Sequence, residues 1–133
     1  MAGGGGMSGA PSPEAVQRAV SRVFSRRFAW GEADCCLAVA DVLCALGLPD
    51  PAALWRLGYD RKWAEAALVG AGGLAALIGD VAKEQGWPRV CSPQPGDIGA
   101  GATLAICDGR RWWAKGARGM VAVPVPDVIW RVF

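Results

Sequence analysis

Asp34-Cys35 stands at the mouth of an apolar helical run, Cys35-Cys36-Leu37-Ala38-Val39-Ala40-Asp41-Val42-Leu43-Cys44-Ala45-Leu46. A thiol at a helix N-terminus meets the positive end of the dipole and unpaired N–H groups. Both favour thiolate and lower a pKa that is ordinarily about 8.5. That is the chemistry of a cysteine nucleophile, and Cys35 is the thiol positioned for it. Cys36 lies about a hundred degrees further round the helix and is expected to pack.

The sequence contains no histidine. Amide cleavage through a thioester needs a base to make thiolate and then an acid to protonate the departing amine, and one imidazole normally does both. A helix dipole serves only the first task. Losing a member of a catalytic triad typically costs on the order of 10⁴- to 10⁶-fold in rate. Asp97, Asp108 and Lys115 are the available substitutes in the C-terminal third. A surface carboxylate near its usual pKa of about 4 is a poor acid at neutral pH, and a lysine needs strong desolvation to act as a base.

The remaining thiols point elsewhere. Cysteines at 35, 36, 44, 91 and 107 form no Cys-x-x-Cys pair. Without histidine, a zinc or iron–sulfur site would need Cys35 and Cys36 joined by a distant cysteine. No metal or other cofactor is expected. Cys44, Cys91 and Cys107 read as reduced, buried thiols that pack as small hydrophobes.

Seven tryptophans, at 30, 55, 63, 87, 112, 113 and 130, are more than a core of this size encloses easily with every indole N–H satisfied. Trp112-Trp113 on a strand point to opposite faces, so one is expected to pack inward and the other to line a groove or contact surface. With Arg110 and Arg111 beside them they form a candidate partner-binding patch. A net charge of only +2 argues against nucleic acid as that partner.

The elements that must position these groups follow from local patterns. At 133 residues the chain has the length of one domain. Residues 1–12 are glycine-rich and read as a flexible arm, leaving residues 13–133 as the folded unit. Ser12-Pro13-Glu14 gives an N-cap, a first-turn proline and an acid at the positive helix end. Val16, Val20, Val23, Phe24 and Phe28 follow at helical spacing. Arg18, Arg22 and Arg26 repeat on another face, either solvated or docking an acidic partner. The Cys35 helix is apolar nearly all round and belongs in the middle of the domain. Asp50 and Asp60 predict caps for a short turn over Ala52–Leu57 and a helix over Lys62–Val69, and another helix spans Leu74–Gln85.

After Pro88 the pattern becomes short β-forming runs: Arg89–Ser92, Asp97–Ala100, Thr103–Cys107, Arg110–Lys115, Met120–Val123 and Val128–Val132. Asp108-Gly109 marks a hairpin. Helices first and strands afterwards predict an α+β fold with a C-terminal antiparallel sheet. The longest uncharged stretch, Ala66 to Gly79, has fourteen residues and four glycines, short of the roughly 20 apolar residues of a membrane span. The N-terminus carries no basic or apolar region of a secretory signal, so synthesis in a cytoplasm is expected.

Trp30-Gly31-Glu32-Ala33-Asp34-Cys35-Cys36-Leu37, an apolar helix, and then Pro95-Gly96-Asp97-Ile98 before a hairpin resemble the NlpC-type branch of papain-like cysteine peptidases. Within it, the resemblance is to the compact branch encoded in phage tail gene clusters, and it covers roughly residues 28–133. It implies that Cys35 holds the nucleophile position and that Trp30, Gly31, Pro95, Gly96 and Asp97 are structural motif residues. It also implies a base between Gly101 and Thr103, where no imidazole stands. The function expected from it is that of a tail-tip component of a phage or gene-transfer particle. Such a component has a degenerate peptidase-like fold that binds other tail or baseplate proteins, and it ends in the virion tail. The alternative is an active cysteine peptidase acting on peptidoglycan peptides through Cys35.

Overall fold

Ser12 starts the first helix, as its position predicts: its hydroxyl accepts the N–H of Ala15 at 3.1 Å, and Pro13 occupies the first turn. The computed structural model describes residues 9–56 and 58–133. Among them the helices are α1 (Pro13–Phe24), α2 (Cys35–Ala45), α3 (Arg61–Ala71) and α4 (Leu74–Gln85), with a 3₁₀ turn at Ala53–Trp55. The strands follow: β1 (Ile98–Ala100), β2 (Leu104–Cys107), β3 (Trp112–Lys115), β4 (Met120–Val123) and β5 (Val128–Trp130). They form one antiparallel sheet in the order β4-β3-β2-β1-β5. The fold class is α+β, helices before sheet.

Helix α2 is the centre of the packing. Leu37, Ala38, Val39, Ala40, Val42 and Leu43 are buried, and the helix touches α1 on one side and β2 and β3 on another. Each buried Val or Leu contributes about 1.5–3 kcal/mol, so this helix needs no propensity of its own to form. Helix α1 adds Val16, Val20, Val23 and Phe24 to the same core. Its Arg18 and Arg22 face solvent, while Arg26 reaches Asp41 of α2 at 2.6 Å.

Sheet alternation separates two apolar clusters. Ile98, Ala100, Leu104, Ile106 and Trp130 face the helices, with Trp113 packed against them. Ala105, Cys107, Trp112, Ala114 and Ile129 form a smaller cluster on the opposite face. Helices α3 and α4 are attached more loosely. No residue of α3 is buried, and α4 buries only Ile78 and Ala82. Among the described residues no single helix is long and apolar enough to cross a membrane.

Several expectations need correction. Arg89–Ser92 is not a strand; only Arg89 bridges to Trp130, because Pro88 and Pro93 bracket the segment and leave it too short to run along the sheet edge. Cys91, in that segment, is exposed, and Cys44 is half-buried; of the three thiols expected inside, only Cys107 is buried. Residues 1–8 of the proposed arm, and Leu57 at the end of the predicted Ala52–Leu57 turn, lie outside the described residues. The arm's last residues are held in place: the Pro11 ring lies against Gly96, where an added Cβ would come within 2.9 Å of it.

The Asp108-Gly109 hairpin forms between β2 and β3, but Asp108 does more than shape a turn. Its buried carboxylate accepts the N–H groups of Arg110 and Arg111, each at 2.8 Å, the Gln17 amide at 2.7 Å and the Trp113 indole N–H at 2.8 Å. Burial pushes this acid up, but the four donors outweigh it and hold the pKa at about 2. Asp108→Ala is predicted to cost about 2–4 kcal/mol in urea unfolding, since it orphans a half-buried indole N–H and the α1 amide. The carboxylate's own contribution is present above about pH 4 and lost as pH falls through about 2. Asp108→Asn therefore flattens that part of the wild-type stability–pH curve.

Candidate functional site

The site is built on the Asp34 side chain. Asp34 is the N-cap of α2 and is 2% exposed. One carboxylate oxygen accepts the N–H groups of Cys36 at 3.1 Å and Leu37 at 3.0 Å, the usual capping geometry. The other accepts the N–H of Gly31 at 3.0 Å and the hydroxyl of Tyr59. With four donors on it, Asp34 is a structural anchor and has no lone pair left for proton transfer. Gly31 is required beside it: its φ is +75°, and a Cβ would lie 2.3 Å from the Tyr59 carbonyl oxygen. Burial, then the neighbouring Asp34, pushes the Tyr59 phenol pKa up, so it remains a donor.

This cap leaves Cys35 as the first residue of α2, half-buried, with its sulfur 3.9 Å from that of Cys36. The two thiols thus meet rather than diverge. Cys35 is held down to about 6, first by the hydrogen bond from the Cys36 thiol; burial opposes this, the Thr103 hydroxyl and the Leu104 backbone N–H add to it, and the Asp34 charge opposes it. Cys36 moves the other way, well above an ordinary thiol, because it donates to Cys35, is buried, and faces the charges of Cys35 and Asp34. The pair thus favours thiolate at Cys35 over Cys36.

Thr103 immediately precedes β2, in the stretch where the resemblance calls for an imidazole. A threonine hydroxyl donates a hydrogen bond to a thiolate but does not take up and return a proton near neutral pH. The three candidate substitutes are engaged elsewhere. Asp97 is buried against Arg131, with oxygen–nitrogen distances of 3.0 and 3.1 Å, and accepts the N–H of Gln94. Asp108 carries the donors described above. Lys115 donates to the Gly116 carbonyl at 2.8 Å, and burial lowers its pKa. None of them lines the cavity beside Cys35.

Pro95, Gly96 and Asp97 do form the turn into β1. Gly96 has φ +93° and packs so closely on Phe133 that a Cβ would lie 2.7 Å from its ring. One of the Trp112-Trp113 pair packs inward, as alternation on a strand requires, and the other is only partly accessible. Trp112 is 4% exposed, and Trp113 is half-buried with its indole N–H on Asp108. Arg110 and Arg111 are exposed at that hairpin, away from Cys35.

The groove lined by tryptophan lies elsewhere. A cavity of about 280 Å³ opens beside Cys35 between α2, the 3₁₀ turn and the α3–α4 hairpin, and Trp30, Trp55, Trp63 and Trp87 line it. Trp63 packs edge-on to Trp55 at 5.5 Å and against Tyr59 at 5.0 Å. Its deeper walls are aliphatic, from Val39 and Leu43 of α2 and Leu77, Ile78 and Val81 of α4. Ala64, Ala67 and Leu68 of α3 also line it, at helical spacing on an otherwise exposed helix. That spacing was the available sequence signal for this wall. Among the described residues no cluster of three or more His, Cys, Asp or Glu side chains forms a metal site.

A family model described as a domain of unknown function (DUF6950) matches residues 11–132, and the chain belongs to that family. No curated protein and no solved structure matches it.

Two outcomes test this geometry. Iodoacetamide modification of Cys35, followed by mass spectrometry, should rise with pH through about 6 instead of near the ordinary 9; Thr103→Val should move the inflection upward. Asp34→Ala should cost about 2–4 kcal/mol in thermal or urea unfolding, combining a lost cap with an orphaned Tyr59 hydroxyl.

Proposed function

We propose that this chain is an NlpC-like, papain-fold component of a phage or gene-transfer-particle tail. In this reading it has kept the thiol end of the active site, lost amide-hydrolysing competence, and serves assembly by binding other tail or baseplate proteins. The observation that carries the loss of hydrolysis is that the chain has no histidine and that Asp97, Asp108 and Lys115, the candidate substitutes, are bound to other groups and do not line the cavity beside Cys35. Supporting the scaffold are the Asp34-capped Cys35 at the start of a central helix, the Pro95-Gly96-Asp97 turn into β1, and helices that precede the sheet. The tail assignment rests on the sequence resemblance.

The alternative, an active peptidoglycan peptidase, is favoured by one observation: the Cys35 thiol is already lowered without an imidazole. Thiolate formation is only half of amide cleavage. The departing amine still needs a proton, and the nearest acid is the Cys36 thiol, whose pKa is raised.

A fluorogenic muropeptide assay separates the two. No turnover above a Cys35→Ala control is expected; turnover abolished by that substitution would establish the peptidase instead. For the assembly role, the purified protein is expected to bind a tail hub or baseplate protein in a pull-down. A monomer that binds neither would remove that part of the reading.

A further inference from the structure

The cavity beside Cys35 has a composition that a peptide-cleaving cleft does not require. Its walls are aliphatic and aromatic side chains from α2, the 3₁₀ turn, α3 and α4, and its polar contributors are gathered at the Cys35 end, at Asp34, Cys35, Cys36 and Tyr59. Asp34 and Tyr59 bond to each other there, which leaves the two thiols as the unspent chemistry. A pocket of this kind, apolar along its length and reactive at one end, matches a ligand with an apolar chain and one electrophilic terminus.

The proton bookkeeping narrows the electrophile. An amide releases an amine that must be protonated as it leaves, and no group near Cys35 supplies that proton efficiently. A thioester releases a thiolate, which departs with its electron pair and needs no proton. Stabilisation of the oxyanion is available: Asp34 occupies the N–H groups of Cys36 and Leu37, while the N–H of Cys35 itself has no acceptor among the described residues. That N–H lies at the positive end of α2, where a developing negative charge is favoured.

We propose that the cavity binds the apolar chain of an acyl thioester and that Cys35 accepts the acyl group. The Cys35 sulfur attacks the thioester carbonyl, a new sulfur–carbon bond forms, the donor's carbon–sulfur bond breaks, and the donor leaves as a thiolate. The product is a Cys35 S-acyl protein with its chain among Val39, Leu43, Leu68, Leu77, Ile78 and Val81. Reduced cysteine is consumed, and no oxidant or metal enters the balance. This inference goes beyond the tail reading and does not depend on it.

The test uses the full chain with acetyl and octanoyl thioesters of N-acetylcysteamine, followed by intact-mass and peptide mass spectrometry. One octanoyl group is expected on Cys35, removable by neutral hydroxylamine and absent from Cys35→Ala; Cys91→Ser, outside the site, should label as wild type. Octanoyl transfer should exceed acetyl transfer by about tenfold or more, since burial of even two or three extra methylenes suffices for that ratio. Ala67→Phe, which fills the cavity from the exposed helix α3, should bring the ratio toward one while circular dichroism reports an intact fold. Equal rates for the two donors in wild type, labelling spread over Cys91 and Cys35, or a ratio unmoved by Ala67→Phe would each overturn the proposal. Failure here leaves the muropeptide and pull-down outcomes untouched, so the two readings fall separately.

Discussion

Everything around the reactive sulfur hangs on one carboxylate. Asp34 fixes where α2 begins by accepting the N–H groups of Cys36 and Leu37, and that register alone makes Cys35 the first helical residue. The same side chain accepts from Gly31 and Tyr59, so it also draws the preceding loop and the segment before α3 to the helix end. A capping interaction worth about 1 kcal/mol in isolation thus sets the thiol's environment and one wall of the cavity together. Around it, Arg56 joins Asp41 of α2 at 2.7 Å and Asp50 at 2.6 Å, tying the 3₁₀ turn to the same helix. Those partly exposed pairs add little energy by comparison.

The consequence is a division between forming a thiolate and using one. The Cys36 thiol lies 3.9 Å from the Cys35 sulfur, and its hydrogen bond is the largest influence lowering the Cys35 pKa, with smaller ones from Thr103 and Leu104. Donors stabilise negative charge on sulfur, but unlike an imidazole they do not carry a proton from the thiol to a leaving group. Stabilisation also lowers the sulfur's intrinsic nucleophilicity. On the proposed reading, such a site suits electrophiles whose leaving groups depart unaided better than it suits amides. The composition of the chain and the geometry of its best-placed cysteine agree on this point from independent directions.

Much of this was legible in the sequence where the signal was local. Ser12 and Asp60 cap the helices they precede, whereas Asp34, read only as the neighbour of the candidate nucleophile, proves to be the cap of α2; the uniformly apolar α2 lies at the centre because every face of it had to be covered. The Asp108-Gly109 hairpin and the turn at Pro95-Gly96-Asp97 were also readable. What failed depended on partners distant in sequence. Alternation put Trp112 and Trp113 on opposite faces of β3, but not that Pro126 would pack near Trp112 at Gly99 or that Asp108 would take the Trp113 indole N–H. Tryptophans at 30, 55, 63 and 87 come from four separate segments, so no window of sequence joins them. Thr103 falls in the stretch where the resemblance implies an imidazole, and a hydroxyl there carries no signature of its own.

Access to the cavity follows from the uneven distribution of burial. Helix α2 is locked between α1 and the sheet, and α4 is pinned to β1 through the region of Ile78 and Ala82. Helix α3 buries no residue, and Trp63 and Val69 on it are 48% and 82% exposed. It is held at its ends, by the Asp60 cap beside Tyr59 and by the Gly72-Gly73 turn into α4. Elements with few buried contacts open at the lowest free energy, so α3 is the wall that yields first. An apolar ligand entering there would cover Ala64, Ala67 and Leu68, supplying the burial that the helix lacks and closing the wall over the thiol.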